Sequence, residues 1–352
     1  MNEVQVVLGL LIDSCGVPLG YELYPGNTSE FKTLEPALRK LKEDYGIKEV
    51  IIVADRGLNS KSNLAAIKSL GMDYVMAMKL RGASVDLKEK IFSDEGYEEQ
   101  FSEDTGEMVY KFKVLDRTTV VTQVEEIEGE KVKEKVSLEE KLLITYSKKR
   151  EKKDRKDRER LIRKAERLIA SPGNYNAELK KGGKSFVKVS VGKDLKLDEE
   201  KIKEQSQFDG YYGIVTSKKE LPASEVASIH HSLWKIEENF RVMKTGLEAR
   251  PCFVWTDASV QVNFMICYLA LVIQRLLEEE LRRAGIKTTT EQILEAVRTA
   301  SVAVLEDRGA DIYMKTGANE LFDRIGKVYD MEPLHTWNKK SQMKKRLKVK
   351  IA

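Results

Sequence analysis

The sequence predicts an α/β protein with a mixed sheet, and three observations carry that prediction. Two apolar runs flank a turn near the start, at 4–12 and 19–24, and read as a hairpin. A strand–helix–strand pattern follows over 48–78. After residue 80 the texture changes to β-rich runs separated by turns or charges.

Residues 4–12, VQVVLGLLI, read as a buried strand, DSCGVP as a turn, and LGYELY as its alternating partner. In PGNTSE, Asn27 followed by Glu30 is a helix-start pattern. Phe31, Leu34, Leu38 and Leu41 then place one apolar face on a helix over 28–45. KEVIIVA is a β-branched strand with Asp55 at its C-terminal end; a helix over 59–70 and the strand YVMAM complete a β-α-β unit. Within 108–146, MVYKFKVLD, TVVTQVEEI and VSLEEKLLITYS read as further strands. Residues 148–170 read as a charged helix, with twelve Lys or Arg against five Asp or Glu over 148–167. DGYYGIVTS, 209–217, is one more strand. From 222 the pattern turns helical, over 222–246, 257–284 and 289–304. The last fifteen residues carry seven Lys or Arg and no acid. The expected organisation is an α/β core in two parts, 1–80 and 208–285. A β-rich insertion with the basic helix, 81–207, separates them, and C-terminal helices with a basic tail, 286–352, close the chain.

At 352 residues, 41% hydrophobic and 34% charged, the chain can fold around a core and stay soluble. Its net charge of +4 is modest, so the two basic segments say more than the total. Cys15, Cys252 and Cys267 are few, odd in number and without metal-type spacing. They favour free thiols in a reducing compartment over a zinc cluster or disulfide framework. The longest apolar run, Phe264–Ile273, is ten residues, too short for a bilayer, and no basic region precedes the first apolar run. The expectation is a cytoplasmic protein with no membrane partner.

Two stretches carry chemistry. IIVADRGLNS, 51–60, ends an apolar strand in Asp55, Arg56 and Gly57. Ligand sites of open α/β sheets lie at such C-terminal strand ends, although an Asp there also serves as an ordinary turn or helix cap. In HHSLWKIEENFRVMK, 230–244, a continuous helix puts Leu233, Ile236, Phe240 and Met243 on one stripe. His230, Glu237, Arg241 and Lys244 fall on the edge of that stripe, so the Glu237 carboxylate is expected to be partly shielded from water. A carboxylate so placed can bind a hard divalent metal, and the cations can hold phosphate. The alternative is a surface Glu–Arg pair worth a few tenths of a kcal/mol. Trp234, Phe253, Trp255 and the 257–284 helix, with Phe264, Cys267, Leu271 and Ile273, are read as structural.

VADRGLNS together with LWKIEENFRVMK resembles the DDE transposases of bacterial insertion sequences. More narrowly, it is similar to the branch with a Tyr-Arg-Glu-Lys signature. Glu237 and Lys244 match the Glu and Lys with the six-residue gap kept, while His230 and Leu233 stand at the Tyr and Arg positions. QVVLGLLID, YPGNTSEFKTL and LEARPCFVWT add to a resemblance that covers most of 4–280. It implies a ribonuclease-H-like core in which three acids hold two Mg²⁺ (or Mn²⁺) ions for phosphodiester hydrolysis and strand transfer. By the same resemblance Asp55 and Glu237 are catalytic metal ligands, and His230, Arg241 and Lys244 contact DNA. The partners implied are double-stranded DNA at transposon ends and target. A homodimer is compatible with this, and the chain would be nucleoid-associated when DNA-bound.

The family's first catalytic Asp lies on a first strand that precedes the segment resembling QVVLGLLID, and here only three residues separate Met1 from that segment. The first strand therefore reads as missing, and Asp13 is rejected as its substitute because it sits at the hairpin turn. Without that strand, QVVLGLLI and EVIIVA are expected each to lose a neighbour or to pair directly. The chain is then an incomplete transposase or, in the alternative reading, a non-catalytic DNA-binding or oligomerising remnant.

Overall fold

The computed structural model describes residues 6–28, 33–45, 50–54, 57–102, 105–127, 130–171, 173, 175, 181–189, 194–247, 249, 253–254, 256–307 and 310–347. The chain divides into two compact units, residues 1–7 with 24–233, and 8–23 with 234–352. It opens with β1 (Val6–Ile12) and β2 (Pro18–Pro25), which form their own two-stranded ladder. The Asp13 carboxylate pins the turn between them, its Oδ1 accepting from the Cys15 and Val17 amides at 2.9 and 2.8 Å.

The first unit begins with α1 (Leu34–Tyr45), which starts six residues later than the expected boundary at 28. Thr28 instead closes a turn onto the Pro25 carbonyl. Next come β3 (Ile51–Ala54), α2 (Lys61–Ser69) and β4 (Asp73–Met78). β3 and β4 are parallel, Ile51 opposite Asp73, so the expected β-α-β unit is present. Ser60 caps α2 by accepting from the Asn63 amide, and α2 buries Leu64, Ala65, Ala66 and Ile67.

α3 (Val85–Phe92), β5 (Glu98–Phe101), β6 (Met108–Ile127) and β7 (Glu130–Ser147) follow. α4 (Lys148–Ala170), the short pair β8 (Val187–Val189) and β9 (Leu195–Leu197), α5 (Glu199–Ser206), β10 (Tyr211–Thr216) and α6 (Ala223–His231) complete the unit. The sheet order is β3-β4-β10-β7-β6-β5, with β3 at one edge. Leu142 and Ile144 pack with Leu80, Ile91 and Phe208. Leu143 packs with Val75, Ile214 and Val226 of α6. Alternate β7 residues thus serve opposite faces, and both faces of the sheet are covered.

The two strands expected at 108–116 and 119–127 are one strand, in register with β7 from Tyr110 opposite Ser147 to Ile127 opposite Glu130. The charged interruption at Arg117 is a buried network. Glu140, 1% exposed, lies opposite Arg117 and pairs with its Nε at 3.1 Å. Glu140 also accepts from the Tyr74 and Thr119 hydroxyls, each at 2.7 Å. Two lysines on the same strand are buried as well. Burial pushes the Lys113 ammonium down; it donates to the Ser93 and Glu95 carbonyls and lies 4.2 Å from the Tyr97 ring centre. Burial alone would do the same to Lys111, but its 2.8 Å ion pair with Asp94 raises it.

In the second unit, α7 (Trp234–Arg241) runs into a π-helical turn (Val242–Gly246), followed by α8 (Asp257–Arg283) and α9 (Thr290–Thr299). Thr289 and Gln292 close a capping box on α9. Leu281, Ile286, Ile293 and Ala296 form a core with Ile325. Phe264, Cys267 and Leu271 are buried on α8 as expected, but Ile273 is 68% exposed, because it turns away from that face. Trp234 and Phe253, read as packing in the core or onto a neighbouring helix, are 49% and 81% exposed; Trp255 lies outside the described residues. By length and composition α8 passes the test for a membrane span, as apolar core helices of soluble proteins also do; the ten-residue run understated it.

The C-terminal region corrects the expectation of helices alone. The helix expected to reach 304 ends at Thr299, and β11 (Ser301–Asp307) pairs with β12 (Ala310–Gly317). Val302 and Val304 favour a pleated strand once a partner strand is at hand. α10 (Glu320–Val328), β13 (Trp337–Lys339) and α11 (Lys340–Arg346) complete the unit, with β13 against β12. The basic tail is therefore folded as far as it is described. Arg346 is buried, donates to the Glu332 carbonyl and lies over the Phe322 ring. Lys340 and Lys345 are paired with Asp311 and Glu332.

Candidate functional site

The helix expected over 222–246 is three pieces. α6 ends at His231, Ser232 and Leu233 form a turn, α7 follows, and the chain then widens into the π-helical turn. A wheel drawn through 230–244 therefore loses its phase at the turn. His230 belongs to the first unit; Glu237, Arg241 and Lys244 belong to the second. His230 is half-buried, its Nε2 3.4 Å from the Tyr212 hydroxyl and its ring edge-on to the Tyr212 ring.

α7 is held by its Asn239 face. The Asn239 amide, 1% exposed, donates to the Gly16 and Lys235 carbonyls at 3.0 Å and accepts from the Arg275 Nε at 2.7 Å. Lys235 donates to the Ser14 carbonyl at 2.6 Å. Val242 and Met243 are buried on the same side. Glu237 lies two residues from Asn239, on the opposite side of the helix at about 100° per residue. It is exposed, and so are Arg241 and Lys244. The partial shielding expected for Glu237 is thus not found; the carboxylate half-covered by protein is its neighbour Glu238, 3.8 Å from the Arg275 guanidinium. Arg241 reaches Glu238 at 3.5 Å and Glu291 at 3.6 Å. Lys244 stands over the Phe240 ring at 5.8 Å. Among the described residues neither Glu237 nor Lys244 is in an ion pair, so α7 offers solvent a carboxylate, and the π-helical turn after it an ammonium, that no opposite charge neutralises.

Asp55 lies outside the described residues. It directly follows Ala54, the last residue of β3, at the C-terminal end of a parallel strand pair. Among the described residues no three His, Cys, Asp or Glu gather as a metal-binding group.

Sequence reasoning missed the polar cluster of Glu238, Asn239, Arg275 and Glu278. Glu278 pairs with Arg275 and accepts from Gln274 and Thr290. Gln274 and Arg275 interrupting the apolar LALVI…LL run of α8 were the available signal, since a buried polar pair in such a helix needs partners.

A search of curated proteins finds no match. One protein family, described as Transposase DDE domain, matches residues 5–273. That span takes in β1 through most of α8, including Asp55 and Glu237. It covers well over half of the chain, and the protein belongs to the DDE transposase family.

Proposed function

We propose that the protein acts in DNA transposition as a DDE transposase, cleaving phosphodiester bonds and transferring strands at insertion-sequence ends with a divalent metal. The core is read as ribonuclease-H-like and of the Tyr-Arg-Glu-Lys branch. The observation that carries this is the family match over 5–273, which includes an Asp immediately after β3 and an uncommitted carboxylate on α7. Asp55 and Glu237 would hold Mg²⁺ or Mn²⁺. When bound, the metal lowers the pKa of the attacking water or 3′-hydroxyl and stabilises the leaving oxygen. The site needs a third carboxylate. Asp13 is a poor candidate, because one of its oxygens already accepts two turn amides. Lys244 and Arg241 would hold phosphate beside Glu237, and His230 would touch the transposon end. The setting is the cytoplasm, on the nucleoid when DNA-bound.

Purified chain incubated with end-bearing duplex DNA and Mg²⁺ tests this. Glu237→Gln and Asp55→Asn are expected to reduce nicking at least about a hundredfold, the scale of losing one transition-state charge stabiliser. Each should leave metal-free DNA binding in place. Nicking lost in Asp13→Ala but kept in Asp55→Ala would sink the assignment. A second reading, a DNA-binding or oligomerising protein without cleavage, draws on the basic helix α4. Salt-dependent binding with no metal-dependent nicking selects it.

A further inference from the structure

We propose that one face of α4 is a docking surface for the phosphate backbone of duplex DNA. The choice of DNA as the polyanion rests on the transposase reading; the surface itself rests on charge placement.

Drawn at about 100° per residue, Lys149, Lys152, Lys153, Lys156, Arg160, Arg163, Lys164 and Arg167 fall within one arc of about 120°. No acid lies inside that arc; Asp157 and Glu159 stand at its margins. Every one of these cations except Lys164, which is half-buried, is exposed. The stripe runs about 27 Å along the helix, the length of roughly eight base pairs.

The opposite side explains why the stripe is single-signed. There two of the five acids of α4, Glu151 and Asp154, together with Arg158, fix it against the sheet. Asp154 accepts from the Gly210 amide at 3.1 Å, Glu151 accepts from the Tyr146 hydroxyl at 2.8 Å, and Arg158 pairs with Asp209. Ala165 and Leu168 are buried on that side. Among the described residues no ion pair holds Lys149, Lys152, Lys153, Lys156, Arg163 or Arg167, while Arg160 is paired with Asp157. Glu159 and Glu166 are exposed but stand outside the arc, so the arc itself presents cations only and is complementary to a line of phosphates. Mixed signs along this arc would give i,i+4 pairs, and the arc holds no acid to make them.

The test is metal-free binding of the full chain to a random-sequence duplex of roughly 30 base pairs over a range of salt. Lys149→Gln/Lys153→Gln/Lys156→Gln is expected to weaken binding at least about tenfold at low salt. It should also make the slope of log K against log salt shallower by about 2–3. Lys→Arg at the same three positions should retain both. The control Lys90→Gln/Lys201→Gln/Lys203→Gln removes the same charge from exposed positions of the same unit and should leave the slope unchanged. Equal loss in the control would mean net charge alone acts, and overturns the proposal. So would unchanged binding in the α4 variant, or the same α4-dependent loss with a clear preference for double-stranded RNA. Because metal is absent, a failed nicking assay would count against the transposase reading without touching this result.

Discussion

Asn239 shows how a side chain that does no chemistry can decide where a functional one points. Two of its three hydrogen bonds tie α7 to the β1–β2 turn and to Arg275 of α8, and the third closes back on the Lys235 carbonyl of α7 itself. That anchoring turns Glu237 outward. Asn239→Ala leaves the Gly16 carbonyl and an 11% exposed guanidinium short of partners, and is expected to destabilise the second unit by about 1–3 kcal/mol in denaturant unfolding. Unchanged stability would mean that water or relaxation replaces those bonds. Asn239→Asp keeps the acceptor for Arg275 and should lose less. In the sequence Glu237 and Lys244 were legible as a pair seven residues apart, and they do share the exposed side. Burial of Glu237 was misread because the buried face of this helix centres on the polar Asn239 with Val242 and Met243, and not on the apolar stripe through Ile236 and Phe240.

At the scale of elements, α4 depends on a turn that only glycine fits. Gly210 has φ +85°, and a Cβ there would stand 2.6 Å from the Tyr146 ring. Gly210→Ala is expected to cost about 1–3 kcal/mol, from left-handed backbone strain plus overpacking. A thermal or denaturant midpoint at the wild-type value would refute this. Tyrosines around the sheet make it sensitive to alkali. The Tyr146 hydroxyl is pushed up to about 12, first by burial and then by its bond to Glu151. Burial likewise raises Tyr74, Tyr97, Tyr110 and Tyr211. A raised pKa contributes stability that is complete below the unfolded value near 10 and is lost as pH rises through the folded value. Stability should therefore fall between pH 10 and about 12, where tyrosinate absorbance should lag behind that of the unfolded chain. In Tyr146→Phe the slope of stability against pH in that window should drop by one proton. The extent of β6 was half legible: Arg117 looked like a break because its partner Glu140 is 23 residues away in the chain.

The whole molecule carries separate cores in its two units, one set around the six-stranded sheet and one around α8, α9 and α10. All three tryptophans, Trp234, Trp255 and Trp337, belong to the second unit, so indole fluorescence reports it alone while circular dichroism reports both. Asn239→Ala is expected to shift the fluorescence transition and Gly210→Ala only the circular dichroism one. Coincident shifts in both variants would mean one cooperative unit. By itself the sequence determined the elements whose signals are local: the β-α-β unit, the bounds of α4, the first hairpin and the family motif around Asp55 and Glu237. Periodicity and capping act over a few residues, so they survive in one dimension. Only the tertiary structure decided what depends on distant partners. It extended β6 through Arg117 by supplying Glu140, and ended α9 at Thr299 by supplying β12. It turned Glu237 to solvent by burying Asn239, and drew Glu151 and Asp154 of α4 inward, away from its cationic arc. In each case a local preference was outweighed by pairing a polar or backbone group that would otherwise be buried alone.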